Sequence, residues 1–150
     1  MIVKKITSVD EPLKAQLIEL CDILDDPEMD IQATVGMMIS RLDGLGLFGA
    51  FDGDKLSGFA LAEPPGVIYP KRAFLWITAV DKNVPRRVSN GLFDMMCRWC
   101  ISKGATYLWG WTKRDIQVIK RLYGFEEVAE KQVIRPLIGD DWLKIERVSA

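Results

Sequence analysis

The sequence predicts an α/β (α+β) domain, one sheet flanked by helices. Three observations predict it: two helical patterns before residue 43, a hairpin signature across 47–62, and a strand, loop and helix unit across 73–104. At 150 residues and 49% hydrophobic composition the chain suffices for one substantial core, so a single domain over 1–150 is expected.

Met1 to Thr7 reads as a strand. Ser8-Val9-Asp10-Glu11-Pro12 then supplies a helix start: capping oxygens, an acid for the positive end of the helix dipole, and a proline where the missing N–H costs nothing. Leu13, Leu17, Leu20, Cys21 and Leu24 follow at helical spacing, and Asp25-Asp26-Pro27 ends the run. Asp30 can cap a second helix with Ile31, Val35, Met38, Ile39 and Leu42 on one side. From Leu45 the period changes. Leu47–Phe51 and Leu56–Ala62 are short apolar runs joined by Asp52-Gly53-Asp54-Lys55, a hairpin signal because Asp-Gly accepts the turn's positive φ. Ala73–Val80 is apolar almost throughout and reads as a central strand buried on both faces. Val88, Leu92, Met95, Met96 and Trp99 mark a helix that Gly104 ends, and Ala105–Trp111 is a further strand. Ile116, Ile119, Leu122 and Tyr123 trace a short helix closed by Gly124, before a last strand pair at 125–128 and 132–137.

Composition removes several function classes. Lys and Arg number 20 against 21 Asp and Glu, so no overall basic field favours nucleic acid. No apolar run reaches the ~18 residues that span a bilayer, so no membrane partner is expected. The chain has no histidine, which excludes imidazole bases, His-containing triads and His-ligated metal; no metal is expected. Proton transfer falls to Asp, Glu, Tyr, Lys, Cys or water. Three cysteines and an opening MIVKKITS without an apolar signal core point to the reducing cytoplasm. Cys97 and Cys100 match the C-x-x-C spacing of redox and zinc sites, but they sit well inside a predicted helix, so packing is the preferred role. Trp76 and Trp99 lie in apolar periodic segments and are expected in the core.

The order of strand, two helices, hairpin, apolar strand, glycine-ended helix, strand, short helix with Gly-Phe, and last strands resembles the GNAT acetyltransferases over nearly the whole chain. The residues that carry it are LFGAFDGDKLSGFALAE at 47–63, the strand exit and helix from Val80 to Gly104, and IKRLYGFEEV at 119–128. The resemblance implies a mixed, mostly antiparallel central sheet with a splayed central strand pair. It implies acetyl-CoA as co-substrate and direct transfer of an acetyl group to a primary amine on a small molecule or peptide. A homodimer is a further expectation by analogy. Trp109 and Trp111, on one face of their strand, would either line the cleft between the splayed strands or pack beneath a helix.

In such proteins a pyrophosphate rests on the unpaired N–H groups and dipole of a helix start. Here that stretch is Pro85 to Gly91, so the resemblance assigns Arg86, Arg87, Val88, Ser89, Asn90 and Gly91 to the cofactor. The N–H of Val80, or a neighbour, would polarise the thioester carbonyl at a strand bulge. The family's pattern has arginine or glutamine, glycine three residues later, then glycine or alanine two further on. Alignment by Leu92, Phe93 and Gly104 puts Val84, Arg87 and Ser89 on those positions; alignment by the arginine puts Arg86, Ser89 and Gly91 there. A glycine is missing either way. The two guanidiniums and the Ser89 hydroxyl would then supply the donors; the alternative is a non-catalytic binding or structural protein that kept the fold and lost the CoA site. The family's tyrosine acid falls on Lys120, which would meet thiolate or phosphate charge, while Tyr123 becomes the acid candidate after a local shift. For the base, Asp81 comes first because it follows the apolar strand where the resemblance puts the cofactor's reactive end, and Glu63, which ends the neighbouring strand, comes second; either can act through water.

Overall fold

The computed structural model describes residues 1–110, 130–131 and 148–149. Residues 1–111 and 112–150 form separate compact units. In the first, the elements run β1 (Ile2–Lys5), α1 (Glu11–Ile23), α2 (Ile31–Ser40), a single 3₁₀ turn (Leu42–Gly44), β2 (Gly46–Asp52), β3 (Lys55–Glu63), β4 (Arg72–Val80), α3 (Arg86–Ser102) and β5 (Tyr107–Gly110). In the second, the described residues are two short antiparallel strands, β6 (Glu130–Lys131) and β7 (Val148–Ser149). The expected helix around 116–123 and the expected strands at 125–128 and 132–137 lie outside the described residues, as do Lys120 and Tyr123.

Local chemistry sets the helix boundaries. Asp10 Oδ1 accepts from the Leu13 N–H at 2.9 Å and Asp30 Oδ1 from the Ala33 N–H at 3.0 Å, each satisfying a donor that a helix start leaves open. Gly104, at φ +94°, stops α3 as its sequence position predicts. The hairpin forms as read, with Asp52 opposite Lys55 and Gly53 at φ +59° in the turn.

The sheet runs β1-β2-β3-β4-β5, antiparallel except for the parallel β4–β5 pair. Period-two alternation divides its side chains between two cores. Leu47, Phe51, Phe59 and Leu61 pack with Leu17 and Leu20 of α1 and Val35 and Met38 of α2. Phe48, Ala60 and Ala62 pack with Leu92, Met96 and Cys100 of α3. β3 therefore holds the middle of the sheet and is buried along nearly its whole length.

β4 is the strand expected at 73–80, beginning one residue earlier, and it lies between β3 and β5 in the sheet. A bulge interrupts it: Leu61 pairs with Ile77 but Ala62 pairs with Leu75, leaving Trp76 as the extra residue. The side-chain sequence shows the consequence. Ala73 and Leu75 pack with α3, yet Ile77 and Ala79, two and four residues on, belong to the core of α1 and α2. Trp76 is pushed out of both cores and is 50% exposed, so the expectation that it is buried fails. Trp99 does pack inward, edge-on to Phe48 with ring centroids 5.9 Å apart.

Candidate active site

The described pairing of β4 with β5 covers Arg72–Leu75 against Tyr107–Gly110, and Gly110 is the last described residue of β5. Beyond it, no described strand lies against that edge of β4. The Asp81 N–H donates to the Ser57 carbonyl at 2.8 Å, which makes Asp81, Ala79 and Ile77 the residues hydrogen-bonded to β3. By alternation, Val80 and Thr78 direct their N–H and C=O groups to the edge of β4 that faces away from β3. Thr78 Oγ1 is buried and has no hydrogen-bond partner among the described residues. An unsatisfied buried hydroxyl is costly, and a ligand's polar groups at this edge would satisfy it.

The same edge leads to the start of α3. Pro85 occupies the cap position and no side chain caps the helix. The N–H groups of Val88 and Ser89 both reach the Pro85 carbonyl, at 2.9 and 3.3 Å, while those of Arg86 and Arg87 have no acceptor among the described residues. Both arginines are exposed, and neither pairs with a described carboxylate. Two unpaired cations at the positive end of a helix repel the dipole there, and an anion would relieve both. The Ser89 hydroxyl donates back to the Arg86 carbonyl at 2.9 Å, so its proton is already engaged. Asn90 is exposed, and Gly91 is half-buried with Val3 beside it.

The two candidate bases occupy different ends of β4. Asp81 Oδ1 accepts from the Asn83 N–H at 3.0 Å and its carbonyl from the Val84 N–H at 3.0 Å, an arrangement that turns the chain from β4 towards α3. Its carboxylate borders a shallow depression of ≈ 160 Å³ with Lys55, Ser57 and Asn83. Glu63 instead stands across from Phe74, beside the bulge. Its Oε1 meets Arg41 Nη2 at 2.8 Å and its Oε2 accepts from Trp76 Nε1 at 3.1 Å. Five residues of extended chain separate Trp76 from Asp81, roughly 16 Å. The fold thus sets Glu63 beside the β4 bulge and Asp81 at the turn into α3.

Sequence reasoning missed Arg41, Thr78 and Trp76 as site residues. A threonine in an otherwise apolar strand was the available signal for Thr78; nothing local marks Arg41, which reaches Glu63 across 22 positions. Of the remaining motifs, Trp111 lies outside the described residues. Burial pushes the Cys100 thiol up to about 11 and raises Cys97, which Asp94 raises further, the opposite of an activated thiolate. No group of three or more Cys, Asp or Glu placed to hold a metal ion occurs among the described residues. No helix among them is long and apolar enough to cross a membrane.

No protein-family model matches the sequence, and no curated protein sequence matches it. Solved structures do. AAC(6')-Iy in complex with the bisubstrate analogue CoA-S-monomethyl-acetylneamine superposes with a TM-score of 0.66 at 21% identity, over 89% of this chain and 94% of that one. An aminoglycoside acetyltransferase from an uncultured soil metagenomic sample, in complex with sisomicin, gives 0.64 at 18%, over 92% and 95%. An aminoglycoside 6'-N-acetyltransferase complexed with coenzyme A gives 0.62 at 24%, over 73% and 61%. The chain therefore has the fold of the GNAT acetyltransferases, as the order of its elements predicts.

Proposed function

We propose that the protein is an acetyl-CoA-dependent N-acetyltransferase that acylates a primary amine by direct transfer. The observation that carries this reading is the line from the Trp76 bulge of β4 past the Thr78 hydroxyl to the uncapped start of α3, where, among the described residues, neither that hydroxyl nor the two arginines have a partner. Those groups fit a long ligand that is polar along its length and anionic at one end. Acetyl-CoA, when bound, supplies an acetyl group activated as a thioester.

The chain's residues would then divide the work. Arg86 and Arg87, with their own N–H groups, hold phosphate through charge-assisted hydrogen bonds. Val88, Ser89, Asn90 and Gly91 form the helix turn against which it rests, and Ser89 contributes a donor only after its hydroxyl turns from the Arg86 carbonyl. The outward backbone groups of Thr78 and Val80 and the Thr78 Oγ1 offer partners along the strand edge. Glu63, beside the bulge, takes the proton from the amine directly or through a water. Asp81 shapes the turn into α3. Lys120 remains the candidate for phosphate or thiolate charge, and Tyr123 for the proton donor.

Calorimetric titration with acetyl-CoA, desulfo-CoA and ATP tests the reading. Binding selective for the CoA ligands is expected, weakened about tenfold by Arg86→Ala and by Arg87→Ala, the equivalent of ~1.4 kcal/mol each. No binding of any CoA ligand at millimolar concentration would make the non-catalytic alternative the better account.

A further inference from the structure

Ala73 and Leu75 of β4 and Leu108 of β5 pack with the α3 core, so Arg72, Phe74, Tyr107 and Trp109, which alternate with them, lie on the opposite face of the sheet. Trp76 joins that face through its bulge, its indole N–H bound to Glu63 and its ring packed edge-on to Phe74 at 4.7 Å and 65°. The Arg72 guanidinium stacks on Tyr69 at 4.2 Å and on Trp109 at 4.4 Å, and its Nε donates to the Tyr107 hydroxyl at 3.1 Å. The rings are held in place, yet Trp76 is 50%, Tyr69 55% and Tyr107 49% exposed. A rigid, half-exposed aromatic wall stands beside the β4 bulge.

The charges on this wall are as informative as its rings. Among the described residues, the charged groups that touch it are Arg72, Glu63 and, through Glu63, Arg41: two guanidiniums against one carboxylate. A polycation would meet net repulsion here. A single ammonium can still use the spare lone pairs of Glu63, whose oxygens each accept one bond from the protein. We infer that the amine acceptor is a monoamine carried on a flat aromatic body, an arylalkylamine, with its ring against Trp76 and its nitrogen at Glu63. The inference rests on the acetyltransferase reading and adds the substrate class. Trp76 is then the residue that sets acceptor specificity, and its fixed ring offers stacking without an ordering cost.

Thiol release from acetyl-CoA, measured with 2-phenylethylamine, tryptamine, kanamycin and spermine, tests it. The arylalkylamines are expected to show kcat/KM at least tenfold above kanamycin and spermine. Trp76→Ala should raise their KM about tenfold with a smaller change in kcat, and Trp76→Phe, which keeps a ring and loses the bond to Glu63, should restore most of the KM. Preferential turnover of kanamycin or spermine, or a KM for 2-phenylethylamine indifferent to Trp76→Ala, overturns the inference and leaves the acetyltransferase reading standing. If no amine is acetylated, that reading fails, and tryptophan-fluorescence titration with 2-phenylethylamine still decides the site. Saturable quenching in the wild type that Trp76→Ala abolishes supports the aromatic-amine site; no saturable change refutes it.

Discussion

Glu63 and Asp81 share one local description, each a carboxylate at the end of an apolar strand, yet the fold sets one beside the β4 bulge and the other at the turn into α3. Glu63→Gln is expected to lower kcat at least a hundredfold, the scale of a lost general base, while acetyl-CoA affinity stays the same. Asp81→Asn keeps an oxygen for the Asn83 N–H and should retain both activity and fold. A Glu63→Gln enzyme with wild-type kcat, or an Asp81→Asn enzyme a hundredfold impaired, would reverse the assignment. The difference was hidden in the sequence because it depends on register. Glu63 faces Phe74 and reaches Trp76 only because one residue bulges, whereas the cap residues Asp10 and Asp30 act on neighbours three positions away and are read directly.

At the scale of elements, α3 was legible with its buried side, whereas β4 was legible as a strand but not in how it divides its side chains between the two cores. The helix declares itself through Leu92, Met96 and Cys100 on its buried side and Gly104 at its end. The run Arg72–Val80 is so uniformly apolar that no periodic pattern fixes which residues face which core. The resemblance puts a bulge at Val80 or a neighbour; Val80 instead sits in register opposite Gly58, and the bulge falls at Trp76, which is half exposed. α3 also carries a testable anomaly in Gly91, which lies inside the helix and costs about 0.5–1 kcal/mol relative to alanine. A Cβ there would meet only Val3 Cγ2 at 4.0 Å, so packing does not require the glycine. Gly91→Ala should therefore stabilise the fold by about that amount in denaturant unfolding. If close approach of a phosphate is what keeps the glycine, the same variant should bind acetyl-CoA several-fold more weakly; unchanged affinity would remove Gly91 from the site.

Across residues 1–110, the sheet separates two cores, and each contains a buried thiol: Cys21 on the side of α1 and α2, Cys100 beneath α3. Burial pushes both from the ordinary 9.0 up to about 11. A thiol with a raised folded pKa favours the native state while it is protonated, so its contribution is complete below pH 9.0. Between pH 9.0 and about 11 the unfolded chain ionises and the folded chain does not, so stability falls as pH rises through that window. Unfolding midpoints measured from pH 8 to 11 should show this decline, and Cys21→Ala and Cys100→Ala should each flatten part of it even though each also lowers stability through its cavity. The same protonation makes both thiols poor nucleophiles at neutral pH. Iodoacetamide should label them far more slowly in the native protein than in denaturant. Rapid native labelling of Cys100 would show an accessible thiolate, and it would revive the redox reading that the C-x-x-C spacing invites and the burial of α3 opposes.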